Sequence, residues 1–312
     1  MTLRREDILK GKVEDLDIGK STTLEALLDA FSRMGGFTSS KIATASSILE
    51  KMFHDDNITF LSFPADIIST GLRGVIKDVV KKKLVDVIIT TCGTLDHDIA
   101  RSVSSYYSGS FEYKDSDLAK INVNRLGNVV IPEENYGPVI EKFTTNLLSD
   151  LGNDRNNISS AELIRRAGLA LKDKNSILYN AAINDIPVFV PGITDGSFGS
   201  QLWSYYETHR DFSVNILEDE HMLADIIFSA KKTGALMVGG GISKHHTIWW
   251  NQFREGLNYA VYVTTAQEYD GSLSGAKLEE AISWKKVRED AEFVNVYGDA
   301  TVILPILLSK FL

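Results

Sequence analysis

Short runs of β-branched and other apolar residues recur along the chain, and each run ends in small or polar residues. Because these runs are continuously apolar rather than alternating, they are typical of strands buried on both faces of a parallel sheet. The runs predict six strands, at residues 58–63, 85–90, 127–131, 187–190, 235–238 and 259–263.

Helical spacing of apolar residues separates these strands. Leu223, Ile226, Ile227 and Ala230 follow the i, i+3, i+4, i+7 pattern of one helix face, and residues 67–79 do the same after the first strand. Strand–helix alternation predicts an α/β fold with a doubly wound, mostly parallel sheet.

Residues 1–50 are amphipathic and do not follow this alternation of strands and helices. We expect a helical N-terminal extension there, packed on the sheet or on a partner subunit, and a single α/β domain over residues 51–312.

Glycine, threonine, aspartate and histidine follow four of the predicted strands, at residues 90–98, 191–199, 239–246 and 264–271. Ligands of open parallel sheets bind at these strand ends. Glycine allows close approach of a pyrophosphate, and aspartate accepts hydrogen bonds from ribose hydroxyls. One such segment is most often a turn, but four together favour a dinucleotide site. The sequence has no G-x-G-x-x-G motif, so the site is not of the common dehydrogenase kind.

Two further groups of residues have the types needed for catalysis. His245 and His246 follow three glycines, and either one could face a site while the other packs. Trp284 precedes Lys285 and Lys286, a pattern usual for an ordinary helix end with solvated lysines. The indole could also form an apolar wall beside a nucleophilic lysine, or bind a cationic substrate over its face. The spacing leaves these alternatives open. No H-E-x-x-H or C-x-x-C spacing occurs, so no metal is expected.

Composition limits the class of protein. The chain has 312 residues, of which 44% are hydrophobic, and a formal net charge of −9. A lone Cys92 cannot form a disulfide within the chain. The first residues lack an apolar signal stretch, and Pro305 interrupts the C-terminal apolar run, so we expect a cytoplasmic protein without a membrane span. The acidic balance argues against nucleic acid as a partner.

Longer segments resemble one known family. Residues 239–246, 259–272, 280–286 and 296–300 are similar to those of deoxyhypusine synthase, in its archaeal form. Residues 67–73, 125–128 and 187–197 extend the resemblance over most of the chain. It implies a Rossmann-like, NAD-binding fold. It also implies an enzyme that oxidises spermidine with NAD and transfers the aminobutyl group, through an enzyme lysine, to one lysine of a translation factor precursor. The family implies a homotetramer with active sites at subunit interfaces.

The resemblance also implies residue roles. Lys286 matches the lysine that forms the covalent imine, and His245 matches the site histidine that accepts a proton. The residue before that lysine is usually glycine in the family, but here it is Lys285. The positions expected to bind substrate are Trp284, Glu280, Asp96, Gly271 and Ser272. Those expected around NAD are Ser69, Thr91, Cys92, Gly93, Asp195, Gly240, Thr265, Ala266, Asp299 and Ala300.

Several positions depart from the family pattern. Residues 64–66 read Pro-Ala-Asp where the family has Thr-Ser-Asn near NAD. Ser200 and Leu273 stand where the eukaryotic form has carboxylates, and Trp249 stands where it has asparagine. These changes motivate two alternatives: aminobutyl transfer to putrescine, which makes homospermidine, and a non-catalytic homologue that binds NAD or polyamine. The presence of Lys286 argues against a protein that only binds NAD or polyamine, because such a protein needs no imine-forming lysine.

Overall fold

The computed structural model describes residues 4–5, 9, 11–54 and 56–312. The side chains of residues 153 and 155 are also outside the description. The expectation about a signal stretch at residues 1–7 therefore lies mostly outside the described residues. Among the described helices, none combines the length and the apolar character that crossing a bilayer requires.

Six strands of the described chain form the main sheet, and all neighbouring pairs in it are parallel. They are β1 (Ile58–Ser62), β2 (Val87–Ile89), β7 (Val188–Phe189), β9 (Thr233–Val238), β10 (Leu257–Thr264) and β11 (Val287–Tyr297). Their spatial order is β11-β10-β9-β1-β2-β7. Counted along the chain this is 3-2-1-4-5-6, the order of a doubly wound sheet that reverses between β1 and β9. The predicted fold class is confirmed.

Both faces of this sheet are covered. Successive residues of each inner strand point to opposite faces, so Phe60 and Met237 join one hydrophobic core while Leu61 and Leu236 join the other. Full burial of such a side chain stabilises the fold by about 1.5–3 kcal/mol. This two-sided burial explains why the strands read as continuous apolar runs.

The helices are listed here in chain order. They are α1 (Leu24–Phe31), α2 (Phe37–His54), α3 (Asp66–Ser69), α4 (Leu72–Lys81), α5 (Cys92–Val103), α6 (Asp115–Lys120), α7 (Gly137–Ser149), α8 (Ser160–Leu171), α9 (Ile177–Ile183), α10 (Ser197–Thr208), α11 (Ile216–Ser229), α12 (Gly241–Asn251), α13 (Leu278–Ser283) and α14 (Ala300–Leu308). Short 3-10 helices span Glu133–Asn135, Gly152–Asn156, Gln252–Arg254 and Glu268–Asp270.

One expectation about strands was wrong, and one strand was not predicted. The run at 127–131 forms no strand of the main sheet, because β5 (Val129–Pro132) pairs antiparallel with β3 (Tyr107–Ser108) and β4 (Val123–Leu126) in a separate small sheet. The sequence pattern also did not predict β11, because its charged residues are more typical of a loop than of a buried strand. An edge strand tolerates these charges because one side of it faces solvent. A further parallel pair joins β6 (Ile158–Ser159) to β8 (Val214–Asn215).

The predicted helical character of the N-terminal region is confirmed for α1 and α2, whereas the described residues 11–23 form no helix. Helix α2 packs on β10, β11 and α14, and it buries Ile48, Leu49 and Met52 in a core shared with the sheet. The helix runs through residue 50 to His54. The division into an extension and a domain at that residue stays a prediction.

Candidate active site

Glycines line the crevice at the point where the strand order reverses. Gly239 follows β9 with a φ of +62°, and a β-carbon on it would lie 3.2 Å from Cγ of Pro64, which follows β1. A β-carbon on Gly240 would collide with Ser274. Larger residues would therefore push these loops apart, and the glycines keep the two strand ends close together.

Helix N-termini open onto the same edge of the sheet. Helices α5 and α12 begin there, at Cys92 and Gly241, and neither has a side-chain cap among the described residues. Their first backbone N–H groups carry partial positive charge and point toward the crevice side of the sheet. By contrast, Asp299 caps α14, since its carboxylate accepts a hydrogen bond from the N–H of Thr301 at 2.6 Å. The crevice thus offers donors suited to an anionic group.

Asp96 lies deep in α5 rather than in an open pocket. Its carboxylate accepts hydrogen bonds from the N–H groups of Ser197 and Phe198, at 2.8 and 2.7 Å, and from the hydroxyl of Tyr136 at 3.1 Å. It therefore caps helix α10. Burial raises the pKa of this carboxyl above its ordinary value, against the opposing effect of the hydrogen bonds.

Cys92 lies next to Asp96 and is fully buried. Burial raises the pKa of its thiol to about 12, and the charge of Asp96 adds to the effect. The thiol is therefore protonated at neutral pH and unsuited to nucleophilic attack. Gly196 packs close to both residues, while Asp195 beside it is exposed.

The other expected cofactor positions lie at or near the carboxyl ends of the strands. Ser69 is buried at the end of α3, Thr91 and Gly93 flank the start of α5, and Thr265 and Ala266 follow β10. The N–H of Gly298 donates to the carbonyl of Thr264 at 2.9 Å, which brings Asp299 and Ala300 to the same edge. The structure brings this group together along one side of the sheet.

The backbone at Lys286 is fixed by a Schellman motif at the end of α13. Lys285 has a φ of +56°, in the left-handed region. Its N–H donates to the carbonyl of Ile282 at 2.9 Å, and the N–H of Lys286 donates to that of Ala281 at 3.0 Å. This pair of bonds ends many helices and favours glycine at the left-handed position. In this chain the left-handed position is taken by Lys285 instead.

The side chain of Lys286 lies between two indole rings. Its Nζ is 5.4 Å from the ring centroid of Trp284 and 5.5 Å from that of Trp249. Lys286 is 9% exposed, whereas Trp284 and Trp249 are 64% and 42% exposed. The amine is therefore sheltered at the base of an aromatic slot that opens to the surface, a setting that attracts cations.

His245 stacks on Trp249, one of the two indoles of this slot. Its ring centroid is 5.6 Å from that of Trp249, with 24° between the ring planes. Burial, followed by the positive charge of Lys286, lowers the pKa of His245 below its ordinary value. A neutral imidazole beside an amine can accept a proton. The neighbouring His246 points elsewhere, with its Nε2 3.5 Å from Glu220.

The backbone of Lys286 and the cofactor residues that follow β10 lie at opposite ends of that strand within one chain. Val287, next to Lys286, pairs with Leu257 at the start of β10, and Tyr297 pairs with Thr264 at its end. Seven steps of about 3.3 Å separate these two levels by roughly 23 Å. The structure thus brings together Lys286, Trp284 and His245, and separately the residues near Asp299. The backbones of Lys286 and Asp299 are thus far apart in a single chain, while His245 is only four residues from Gly241 at the crevice.

The remaining substrate positions lie on the segment between β10 and α13 and on α13 itself. Gly271 and Ser272 are exposed, and Glu280 is exposed on α13. Two neighbouring residues had no assigned role: Trp249, noted only as a departure, and Lys244, which is 1% exposed. The helical spacing of Lys244 with Thr247, Ile248 and Asn251 on the buried face of α12 was the available signal.

Comparison with known proteins identifies a family and similar folds. A family model described as "Deoxyhypusine synthase" matches residues 26–311. A Thermoplasma volcanium protein named "Probable deoxyhypusine synthase" is 67% identical over 308 residues, covering 99% of each chain. The crystal structure of a candidate deoxyhypusine synthase from Entamoeba histolytica has a TM-score of 0.66 and 22% identity, covering 96% of both chains. AgrE in complex with ornithine and NAD+ has a TM-score of 0.51 at 13% identity, covering 86% of this chain and 32% of that one. These last two likenesses concern the fold alone.

Proposed function

The chain belongs to the deoxyhypusine synthase family of transferases, and on this premise we propose how it acts. It takes the aminobutyl group of spermidine, with NAD as cofactor, and transfers it through Lys286 to one lysine of a translation factor precursor. The observation that carries the proposal is the sheltered amine of Lys286 between Trp249 and Trp284. The comparisons do not favour the putrescine-transfer or the non-catalytic alternative.

Lys286 is the residue that carries the aminobutyl group in this proposal. An amine bonds to the carbon of an imine and displaces the amine already attached, so the group moves without release of a free aldehyde. The slot suits this exchange because the indoles limit access of water, which would hydrolyse an imine. The faces of the two indoles also favour a cationic chain.

His245 and Glu280 have supporting roles. His245 accepts a proton near the slot, which its lowered pKa permits because the neutral ring is the dominant form at neutral pH. Glu280 is exposed on the helix that precedes Trp284, where its carboxylate can attract an ammonium end of the polyamine. Gly271 and Ser272 are exposed on the segment that precedes this helix. Asp96 is occupied as a helix cap, so we propose that it supports this edge of the sheet rather than a substrate ammonium group.

The crevice residues fit a dinucleotide. The uncapped starts of α5 and α12 offer N–H groups to a pyrophosphate, and Gly239 and Gly240 leave no side chain in its way. Exposed Asp195 is available for ribose hydroxyls, with Thr91, Gly93, Thr265, Ala266 and Ala300 along the same edge. NAD held there would supply hydride transfer from and back to the carbon beside the amine.

We further propose that each active site is shared between subunits of a homotetramer. Lys286 and the residues around Asp299 are separated by about the length of β10 in one chain. A second copy that brings its cofactor edge to the lysine slot would join the two groups. The exposed indoles of Trp249 and Trp284 are suited to cover by a neighbouring chain. We place the enzyme in the cytoplasm, where its protein substrate is made.

Product analysis tests the function directly. Protein, spermidine, NAD and the factor precursor are mixed, and mass spectrometry of the factor is expected to detect one added aminobutyl group on a single lysine. A folded, NAD-bound protein that leaves the mass unchanged would refute the proposal. In a parallel reaction putrescine replaces the factor, and efficient formation of homospermidine there would support that alternative instead.

A further inference from the structure

A buried lysine next to the proposed active site has no role in the chemistry described above. Lys244 precedes His245 on α12 and is 1% exposed. Its Nζ donates hydrogen bonds to the carbonyls of Leu273 and Ala276, at 3.0 and 2.6 Å. It also lies 3.6 Å from the ring centroid of Tyr262 on β10. All these contacts link α12 to strand β10 and to the segment that follows it.

The segment in question, residues 265–277, has several carbonyls that point inward. The hydroxyl groups of Tyr262 and Thr264 both donate to the carbonyl of Ser274, at 2.5 and 3.1 Å. Gly240 packs directly against Ser274. Because irregular backbone leaves carbonyls without ladder partners, these side chains supply the hydrogen bonds that burial would otherwise remove. We call Lys244, Tyr262 and Thr264 the carbonyl clamp.

A buried ammonium is a costly way to bind two carbonyls. Burial lowers the pKa of Lys244 to about 7, and the charge of Glu280 opposes this effect. A neutral side chain would avoid the desolvation cost, so stability alone is a weak reason for a lysine at this position. An ammonium has three donors on a long stem, which lets one residue reach two carbonyls three positions apart.

We propose that Lys244 is a positioning residue, which fixes the segment carrying Gly271 and Ser272, and the helix α13 that follows, against α12. The two halves of the lysine slot come from these two places. His245 and Trp249 lie on α12, while Trp284 and Lys286 follow α13. The clamp sets the relative placement of the two halves, and so the distance of Lys286 from Trp249. The inference rests on the proposed function.

Two variants test this role in the full-length protein. Lys244→Met keeps the length and apolar stem but removes all donors, and Lys244→Arg keeps the charge. Borohydride trapping of the aminobutyl group on the enzyme is expected to slow at least tenfold in Lys244→Met and to recover in Lys244→Arg, with NAD affinity changed less than threefold. Lys277→Met, a lysine of the same segment that pairs with Glu268, is the matched control.

The outcomes separate the clamp from the proposed function. A folded Lys244→Met protein that traps at the wild-type rate overturns the positioning role. If that variant does not fold, Tyr262→Phe decides: a trapping rate at least threefold lower supports the clamp, and an unchanged rate overturns it. If borohydride traps no aminobutyl adduct on the wild-type protein, the proposed function is refuted. Amide hydrogen exchange then tests the clamp independently. Faster exchange of residues 271–280 in Tyr262→Phe or folded Lys244→Met supports the clamp, and unchanged exchange overturns it.

Discussion

The N–H of Lys286 donates to the carbonyl of Ala281 at 3.0 Å, and this bond is possible because Lys285 has a φ of +56°. The left-handed residue turns the chain out of α13 and directly into β11. Lys286 therefore occupies a backbone position defined by two elements, the end of a helix and the start of a strand. Such a position holds the root of the side chain firmly while the amine extends between the indoles.

Lys285→Gly is expected to stabilise the protein. A residue with a β-carbon is strained in the left-handed region, whereas glycine is not, although glycine also has more entropy to lose on folding. The net gain in the free energy of unfolding is expected to be at most about 1 kcal/mol, measured by urea denaturation. Lys285→Ala keeps the β-carbon and serves as the control. A glycine variant no more stable than the alanine variant would contradict the strain argument.

Lys286→Ala is expected to abolish trapping of the aminobutyl group and transfer to the factor. The change removes the amine but leaves the backbone hydrogen bonds of the Schellman motif in place. NAD binding, measured by titration, is expected to persist, because Lys286 is not among the residues expected around the cofactor. Lys285→Ala again serves as the control, since it removes the adjacent amine. Wild-type transfer by Lys286→Ala would exclude the imine role.

Mixed oligomers test whether active sites are shared. Lys286→Ala removes the amine, and Asp195→Arg is expected to disrupt the cofactor edge, so each protein alone is inactive. If one site combines Lys286 of one copy with Asp195 of another, random pairing after co-refolding restores about a quarter of the sites. Activity of the mixture, compared with that of the separate variants, measures the recovery. Failure to recover any activity in verified hetero-oligomers would favour sites built within single chains.

Trp249→Ala is expected to weaken use of the polyamine. Loss of one indole face removes a cation–π contact, and the rate of trapping at low spermidine concentration should fall roughly tenfold. Trp249→Phe keeps a smaller aromatic face and should lose less. Trp203, which is 63% exposed on α10, provides the control variant Trp203→Ala. Equal rates for Trp249→Ala and the wild type would argue that a single indole suffices.

Stability is expected to fall with pH below about 6.5 because of His246. Burial, followed by the charge of His245, lowers the pKa of His246 to about 4. Between pH 6.5 and 4 the unfolded chain therefore binds more protons than the folded chain at this residue, so the free energy of unfolding decreases as pH falls. His246→Gln should reduce this slope, removing at most about 3 kcal/mol of pH dependence.

Urea denaturation at several pH values measures that slope. His221→Gln, which removes an exposed histidine, controls for loss of a ring elsewhere on the surface. An unchanged slope in a folded His246→Gln protein would contradict the assignment of the effect to this buried ring.

The sequence by itself determined the alternation of strands and helices, five of the six main strands, and the motif that contains Lys286. These features are local: a buried strand or a helix face leaves a period in neighbouring residues, and a short motif is read directly. Tertiary structure decided which strands share a sheet, that the charged β11 pairs with β10, and that Asp96 caps α10. It also decided that Lys244 points into a clamp and that Lys286 lies at the opposite end of β10 from Asp299. Such facts depend on pairing between residues far apart in the chain, which no local period encodes.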